Sequence, residues 1–279
     1  MSPAGRTNAQ PPARAMITSL QNQRIKDVVK LGNARERRKQ DLFVIEGVRE
    51  LTLAVAGGYG IRSLFVCDGL LSVDGSILLK KWGIPVEKVS VEVFKKIAYR
   101  DASDGIIALS GPKRLSPDAI RLSAHPFVIV LEAVEKPGNL GAILRTADAA
   151  RVDAVIVCDP KTDIYNPNTI RSSIGCVFTQ QIAACTSEEA LQWLKQSGIR
   201  IHAAELTASE CYCETDFTRP SAIVMGAEAD GLTDFWLRNA DRRIRIPMRG
   251  SIDSLNVSVS TAVLTFEAMR QRKNRLPLS

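Results

Sequence analysis

The second half of the chain alternates between short apolar runs and segments with helical periodicity. Three of the runs, 127–131, 154–157 and 222–225, contain no polar residue, which is typical of strands buried on both faces of a parallel sheet. The segments between runs repeat apolar residues every three to four positions and predict helices that cover the sheet. The further predicted strands are 181–184, 199–203 and 243–246, and the predicted helices are 139–150, a turn at 168–174, 187–196 and about 256–272.

The first half shows the same alternation on a smaller scale. A helix is predicted from Asn22 to Gly32, and a charge-dense segment follows at 35–39. The remaining predicted strands are 42–45, 61–66, 85–89 and 106–109, with helices between Gly47 and Gly57 and at 76–82 and 91–99. This pattern predicts a small α/β unit.

The positions of prolines divide the chain into segments. We expect a disordered leader at 1–15, a first unit at 16–110, a proline-containing linker at 111–125 and a second unit at 126–275. The predicted fold is therefore α/β, with a larger parallel-sheet unit preceded by a smaller unit.

Composition excludes several classes of protein. Hydrophobic residues make up 45% and charged residues 24% of the 279 residues, which are globular proportions. No apolar stretch is long enough for a membrane span, and the N-terminus lacks the apolar region of a secretion signal. None of the six cysteines forms a C-x-x-C pair, although Cys211 and Cys213 are close enough in sequence to oxidise or to bind a soft metal. We expect reduced thiols, a cytoplasmic location and no metal site.

Positive charge is concentrated at the two ends of the chain. The formal net charge is +7, and the excess lies in residues 1–50 and 240–279. Clustered Lys and Arg are typical of nucleic-acid binding, because neutralised phosphates release counterions. A solvated surface with a basic tail would give the same charge pattern, so charge alone leaves both interpretations open.

Ligands of parallel sheets bind at the carboxyl ends of the strands, so the loops after strands are candidate sites. In the loop after 127–131, Asn139 is predicted to cap a helix that carries Arg145. Gly141, one turn before Arg145, leaves room for a phosphate or ribose to approach. A capped helix with a surface arginine is the structural alternative; the full combination favours function.

The loop after 222–225 nearly matches a phosphate-binding loop. Gly226 and Gly231 have the right spacing, but Leu232 replaces the required lysine, which excludes ATP or GTP hydrolysis. No G-x-G-x-x-G follows any predicted strand, which excludes a dinucleotide site of the Rossmann type. The loop remains either a ligand-binding loop with Glu228 as its acid or a tight turn.

The loop at 246–256 is polar and lies between two apolar elements. Ser254 or Asn256 is predicted to cap the last helix. The backbone groups of such a loop need partners, and a bound ligand would supply them. The following helix carries apolar residues that we predict to be core: Val259, Ala262, Val263, Phe266 and Met269.

Together these loops resemble the signature motifs of the SpoU/TrmH family of RNA ribose 2'-O-methyltransferases, in the SPOUT superfamily. The matching segments are 139–142 with Arg145, 226–228 with 231–232, and 246–248 followed by 254–258. The first unit is similar to that family's substrate-binding domain through 19–22 and 43–47. One departure is Ala229, where many relatives have glycine.

The resemblance implies a C-terminal trefoil knot that binds S-adenosylmethionine, and a homodimer formed through the C-terminal domain. It implies cofactor contacts by Gly226, Ile246, Met248 and Leu255. It further implies an RNA substrate, with large-subunit ribosomal RNA favoured over transfer RNA. The basic residues assigned to RNA binding are Arg24, Lys26, Arg35, Arg37, Arg38 and Lys39.

The resemblance also nominates Arg145, Asn139, Glu228, Ser254 and Asn256 as catalytic. A guanidinium is a poor base because it stays protonated. Either its surroundings activate Arg145, or Arg145 holds the adjacent phosphate while Ser254, Asn256 or water accepts the proton. Two alternatives are a non-catalytic RNA-binding protein that dimerises through this domain and, less favoured, a base methyltransferase.

Overall fold

The computed structural model describes residues 15–82, 84–100 and 103–272. The predicted leader, apart from Ala15, and the last three residues of the predicted second unit lie outside the described residues. Within the described part no helix is long and apolar enough to cross a membrane.

The first unit is a four-stranded mixed sheet with helices packed against it. The strand order is β1-β4-β2-β3, with β4 antiparallel to both β1 and β2, and β2 parallel to β3. The elements are α1 (Gln23–Lys30), α2 (Ala34–Gln40), β1 (Phe43–Glu46), α3 (Val48–Ala56), β2 (Ile61–Val66), α4 (Val73–Trp82), β3 (Val86–Lys88), α5 (Val91–Ile97) and β4 (Ile106–Ser110).

The second unit is a seven-stranded parallel sheet in the order β7-β6-β5-β10-β8-β11-β9. Its central strands β5 (Phe127–Glu132), β6 (Ala154–Cys158) and β10 (Ser221–Met225) are fully buried, as the apolar runs predict. The other elements are α6 (Pro137–Ala149), α7 (Pro167–Ser172), β7 (Ile182–Cys185), α8 (Ser187–Gln196), β8 (Arg200–Ala204), β9 (Glu210–Cys211), α9 (Asp234–Asn239), β11 (Arg242–Arg245) and α10 (Val257–Arg272). The hydrophobic pattern misses β9 and α9 because both are too short to show a period.

The two units pack on each other through buried aromatic and charged contacts. The ring of Phe43 in β1 stacks on that of Tyr165, before α7, with 4.4 Å between centroids. The hydroxyls of Tyr59 and Tyr165 are 3.1 Å apart, and Arg37 Nε donates to Asp163 Oδ2 at 2.7 Å. One continuous apolar cluster includes residues of both units. The segment 111–125 between the units contains only a 3-10 turn, Pro117–Ala119.

The core prediction for α10 is wrong in part. Val259 and Phe266 are 48% and 52% exposed, while Ala262, Val263 and Met269 are half-buried. The buried face instead carries Val257, Thr261, Leu264, Thr265, Ala268 and Arg272. Burial of a threonine is possible here because Thr261 Oγ1 donates to the Val257 carbonyl within the helix. Both faces of α10 are therefore partly apolar, and only one packs on the core.

Candidate active site

A cavity of about 680 Å³ opens where the carboxyl ends of β8, β10 and β11 meet. Its wall contains apolar side chains, including Met225, Ile244 and Leu264, together with the backbone of the loops after β10 and β11. Seven of the residues proposed from the sequence line this cavity: Gly226, Glu228, Ile246, Met248, Ser254, Leu255 and Asn256. Residues that follow β8, β10 and β11 thus form one concave site.

The loop after β10 is closed by its own backbone. Ala227 N donates to the Gly231 carbonyl at 3.1 Å, and Gly231 N donates to the Ala227 carbonyl at 3.0 Å. Gly231 has a φ of +68°, and a Cβ on Gly226 would overlap the Gly231 backbone. The two glycines are therefore needed for the conformation of the loop itself. The closed loop forms part of the cavity wall.

Asn139 joins the three signature loops, although it does not cap α6 as predicted. The helix begins two residues earlier, at Pro137, with Lys136 in the capping position, because proline is favoured in the first helical turn. Asn139 Nδ2 donates to Glu228 Oε1 at 2.7 Å, and Asn256 Nδ2 donates to Asn139 Oδ1 at 3.2 Å. This chain of side-chain hydrogen bonds connects the first turn of α6 with the loops after β10 and β11.

Each end of this chain of hydrogen bonds is fixed by backbone contacts. Asn256 Oδ1 accepts from Ser258 N at 2.9 Å and thereby caps α10. Partial burial acts to raise the pKa of Glu228, but hydrogen bonds from Asn139 and from the backbone of Glu135 and Lys136 outweigh it, so the pKa lies below its ordinary value. Glu228 is therefore ionised at neutral pH and accepts charge-assisted hydrogen bonds.

Arg145 lies on the exposed side of α6 and does not line the cavity. It follows Asn139 by six residues, which is about 9 Å along a helix axis. Among the described residues it makes no ion pair or hydrogen bond. The positive charge of Arg145 acts on the thiol of Cys176. Burial raises the pKa of that thiol to about 11, and the charge of Arg145 opposes the increase. The structure therefore leaves the guanidinium available to another molecule.

Gly141 does not leave room for a ligand, which corrects the sequence interpretation. A Cβ at this position would overlap Ser172 Oγ and lie 2.7 Å from the Thr169 carbonyl oxygen. The missing side chain lets α6 pack closely on α7 of the same chain. Ser254 is exposed, and its hydroxyl donates to Asp253 Oδ1 at 3.2 Å, so of the two predicted caps of the last helix Asn256 is the one that forms.

The basic residues assigned to RNA binding have different environments. The assignment of Arg37 to RNA binding is wrong, because this residue is only 4% exposed. Its guanidinium donates to Asp163 and to the carbonyls of Leu31 and Gly32. Arg24 is exposed but pairs with Glu87 at 2.6 Å. The other residues of the set are exposed and belong to α1 and α2: Lys26, Arg35, Arg38 and Lys39.

Sequence reasoning missed Glu132, the last residue of β5. Its buried carboxylate accepts from Thr233 N at 2.8 Å and from Thr233 Oγ1 at 2.7 Å, which fixes the far end of the loop after β10. The position of an acidic residue at the end of a wholly apolar strand could have indicated its role, because a buried carboxylate needs hydrogen-bond partners. Lys136, Glu205 and Leu206 also line the cavity and were not identified.

The described part of the chain contains no group of three or more His, Cys, Asp or Glu side chains that could hold a metal ion. Cys211 Sγ and Cys213 Sγ lie 2.7 Å apart, and both are free thiols.

Two family models match the chain. Residues 126–266 match the SpoU rRNA Methylase family, and residues 22–108 match the MRM3-like substrate binding domain. The first match contains all three signature loops, and the second covers most of the smaller unit.

Named relatives match over most of their length. The 23S rRNA (guanosine(2553)-2'-O)-methyltransferase RlmP of Bacillus subtilis is 29% identical, over 90% of this chain and 97% of its own. The 23S rRNA (guanosine-2'-O-)-methyltransferase RlmB of Pseudomonas syringae is 37% identical, over 60% of this chain and 70% of its own.

Solved structures match both units. A crystal structure of an RNA 2'-O ribose methyltransferase is 39% identical, with a TM-score of 0.82 over 93% of this chain and all of its own. An AdoMet-bound rRNA methyltransferase from Sinorhizobium meliloti is 29% identical, with a TM-score of 0.84 over 94% of this chain and 99% of its own. With its signature loops, fold and relatives in agreement, the chain belongs to the SpoU rRNA methylase family.

Proposed function

We propose that the protein transfers a methyl group from S-adenosylmethionine to a ribose 2'-hydroxyl of 23S ribosomal RNA. The observation that carries this proposal is the hydrogen-bonded connection of Asn139 to Glu228 and Asn256 beside a cavity of about 680 Å³. Relatives that match both units are named as 23S rRNA 2'-O-methyltransferases.

The cavity fits this cofactor in size and chemistry. Its volume lies within the usual range of about 300–1,000 Å³ for small-molecule sites. Ile246 and Leu255 offer apolar contact for an adenine ring, and the loop at 226–231 offers backbone groups that bind polar atoms. Met248 lies on the same wall. When bound, S-adenosylmethionine supplies an electrophilic methyl group on a positively charged sulfur.

The chain's own residues position the RNA and remove a proton. The exposure of Arg145 favours a role in holding the phosphate beside the target ribose, since a guanidinium in water stays protonated and is not a base. Asn139 orients the ribose, with Glu228 and Asn256 fixing its amide. The 2'-hydroxyl proton passes to water, or through the Ser254 hydroxyl to the carboxylate of Asp253, to which Ser254 donates a hydrogen bond at 3.2 Å. Most of the rate enhancement then comes from positioning.

We further propose the domain arrangement and knot that the resemblance implies. In this account, 16–110 binds RNA, 111–125 is the linker and 126–275 is the methyltransferase domain with a trefoil knot. In support, the loops after β10 and β11 line one cavity, and α10 returns to pack on α6 and β10.

A homodimer through the C-terminal domain completes the proposal. The exposed apolar face of α10, with Val259 and Phe266, supports it, because such a surface is stabilised by burial against a partner. Since ribosomal RNA is the proposed substrate, we place the enzyme in the cytoplasm.

Transfer RNA is the less supported substrate. A solved structure that concerns 2-OH methylation of C/U34 on tRNA matches only 55% of this chain, with a TM-score of 0.51. The match to the 23S rRNA methyltransferase RlmP of Bacillus subtilis covers 90% of this chain.

The test is methyl transfer in vitro. Purified protein is incubated with tritiated S-adenosylmethionine and with 23S rRNA, 16S rRNA or transfer RNA, and the products are digested to nucleosides. We expect label in a 2'-O-methyl nucleoside from 23S rRNA. Label in a base, label mainly in transfer RNA, or no transfer with any of the three substrates would contradict the proposal.

A further inference from the structure

A second, smaller cavity of about 130 Å³ lies where α1, α5 and α7 meet, outside the active site. Its floor is mostly apolar, with buried residues such as Val28 and Ile97, and also contains the buried acid Glu46. Its rim is exposed and carries an aromatic ring, Tyr99, and basic side chains. An apolar floor with a basic and aromatic rim suits a nucleotide, whose base is flat and whose phosphate is negative.

Tyr99 is held by its backbone while its ring projects into solvent. Its backbone N–H donates to Glu46 Oε2 at 2.7 Å, and that of Arg100 donates to Glu46 Oε1 at 3.3 Å. The Tyr99 side chain is nonetheless 52% exposed. Within the described part of the chain its hydroxyl makes no hydrogen bond and its ring makes no aromatic contact. A half-exposed ring whose backbone is held in place can provide a stacking platform.

The charge around the cavity is positive and largely unpaired. Lys96 on α5 and Arg171 on α7 are exposed and make no ion pair among the described residues. Lys26 lies one helical turn before Val29, another residue of the rim. Arg100 differs, because its guanidinium is tied to the buried Glu50 at 2.6 Å. Lys96 and Arg171 are thus free to bind phosphates.

The α7 helix relates this cavity to the active site. On one side of α7, Thr169 Oγ1 donates to the carbonyl of Pro137, in the first turn of α6, and Ser172 Oγ lies 3.4 Å from the same oxygen. Ile170 and Arg171 on the other side line the small cavity. A helix with its side chains is about 10–12 Å across. The small cavity is therefore about one helix diameter from the turn that carries Asn139.

We infer that this cleft binds a nucleotide of the RNA strand that flanks the methylated ribose. Tyr99 stacks on its base, and Lys96 and Arg171 bind the adjoining phosphates. The inference rests on the proposed function, because it assumes the same RNA substrate. According to this inference, the region where the two units meet takes part directly in substrate recognition.

The test compares variants of the full-length protein for binding and methylation of 23S rRNA. Tyr99→Ala is expected to raise KM for the RNA about five- to a hundredfold, with the effect on KM rather than kcat. Tyr99→Phe retains the stacking face and is expected to recover most of the lost affinity. Arg171→Ala is expected to raise KM and to reduce the salt dependence of binding. Lys195→Ala is the matched control, because it removes an exposed positive charge on α8, a helix that does not line the cleft.

Photocrosslinking gives a readout that does not depend on methyl transfer. With 23S rRNA that contains 4-thiouridine, we expect a crosslinked peptide that includes Tyr99. A KM for Tyr99→Ala that stays within about twofold of the wild-type value, together with no such peptide, would overturn the inference. Crosslinking without methyl transfer would instead contradict the proposed function and leave the cleft as an RNA site.

Discussion

Asn139 donates a 2.7 Å hydrogen bond from its amide to the carboxylate of Glu228, which lies 89 residues later in the chain. The contact fixes the start of α6 against the loop that closes beside the cofactor cavity. Glu228 has a pKa below its ordinary value, since the hydrogen bonds it accepts outweigh its partial burial. The geometry of the site therefore depends on a charge-assisted hydrogen bond between the first turn of α6 and the loop after β10.

Replacement of Glu228 should test this dependence. Glu228→Ala removes the acceptor and is expected to lower kcat/KM for RNA methylation about tenfold to a hundredfold, which corresponds to about 1.5–3 kcal/mol for a hydrogen bond to a charged group. Glu228→Gln keeps an acceptor oxygen and should lose less. Glu135→Ala is the control, because Glu135 contacts Glu228 through its backbone N–H. Equal activity of Glu228→Ala and wild type would contradict the role.

Arg37 and its neighbour Arg38 should behave in opposite ways. Arg37→Ala breaks a buried ion pair with Asp163 and is expected to lower the free energy of unfolding by about 3 kcal/mol. Arg38→Ala removes an exposed charge, so we expect a change below about 0.5 kcal/mol in stability but a weaker, less salt-dependent binding of RNA. Urea denaturation and filter binding separate the two effects, and a stable Arg37→Ala variant with impaired RNA binding would refute this assignment.

The succession of strands and helices in the second unit, apart from β9 and α9, could be predicted from sequence because it depends on local patterns, whereas the order of the strands in the sheet was not predicted. Uninterrupted apolar runs such as 127–131 and 222–225 are typical of strands that are buried on both faces of a sheet. The predicted carboxyl ends of the strands indicated where to look for the three signature loops. Seven of the residues proposed from those loops line the cavity.

Features that depend on packing between distant segments could not be predicted. Gly141 allows α6 to approach α7, and Arg37 is buried by a carboxylate that lies 126 residues later in the chain. The spacing within α10 does not distinguish its core face from its exposed apolar face, because both carry apolar residues. Nothing in the local sequence specifies these partners.

The exposed face of α10 should control the state of association. Phe266→Asp places a charge at its centre, and we expect the variant to sediment as a monomer where the wild type sediments as a dimer. Ile77→Asp, at an equally exposed apolar residue of α4 in the first unit, should remain dimeric. Analytical ultracentrifugation distinguishes these states. A monomeric wild type, or a dimeric Phe266→Asp, would argue against this interface.

His202 should make stability depend on pH. It is buried without a hydrogen-bond partner for either ring nitrogen, and burial lowers its pKa to about 4. The unfolded chain takes up this proton near pH 6.5, whereas the folded protein resists it until about pH 4. Stability is therefore unaffected by this group above pH 6.5 and falls as pH decreases from 6.5 to 4, by on the order of 3 kcal/mol.

Urea denaturation between pH 7 and pH 4 measures this contribution. His202→Leu should show a weaker loss of stability on acidification than the wild type, while His125→Gln, at an exposed histidine, should retain the wild-type profile. Parallel curves for wild type and His202→Leu would contradict this account, because they would show that the folded protein takes up the His202 proton as readily as the unfolded chain.

The most direct measurement of the central claim is single-turnover methyl transfer from tritiated S-adenosylmethionine to 23S rRNA by wild type and Arg145→Ala, combined with calorimetry of cofactor binding. We predict that the wild type labels a ribose 2'-oxygen. Arg145→Ala should be slower by about a hundredfold or more, while its cofactor affinity is maintained, because Arg145 lies outside the cavity. Transfer at an undiminished rate, or equal loss of cofactor binding and transfer, would contradict the account.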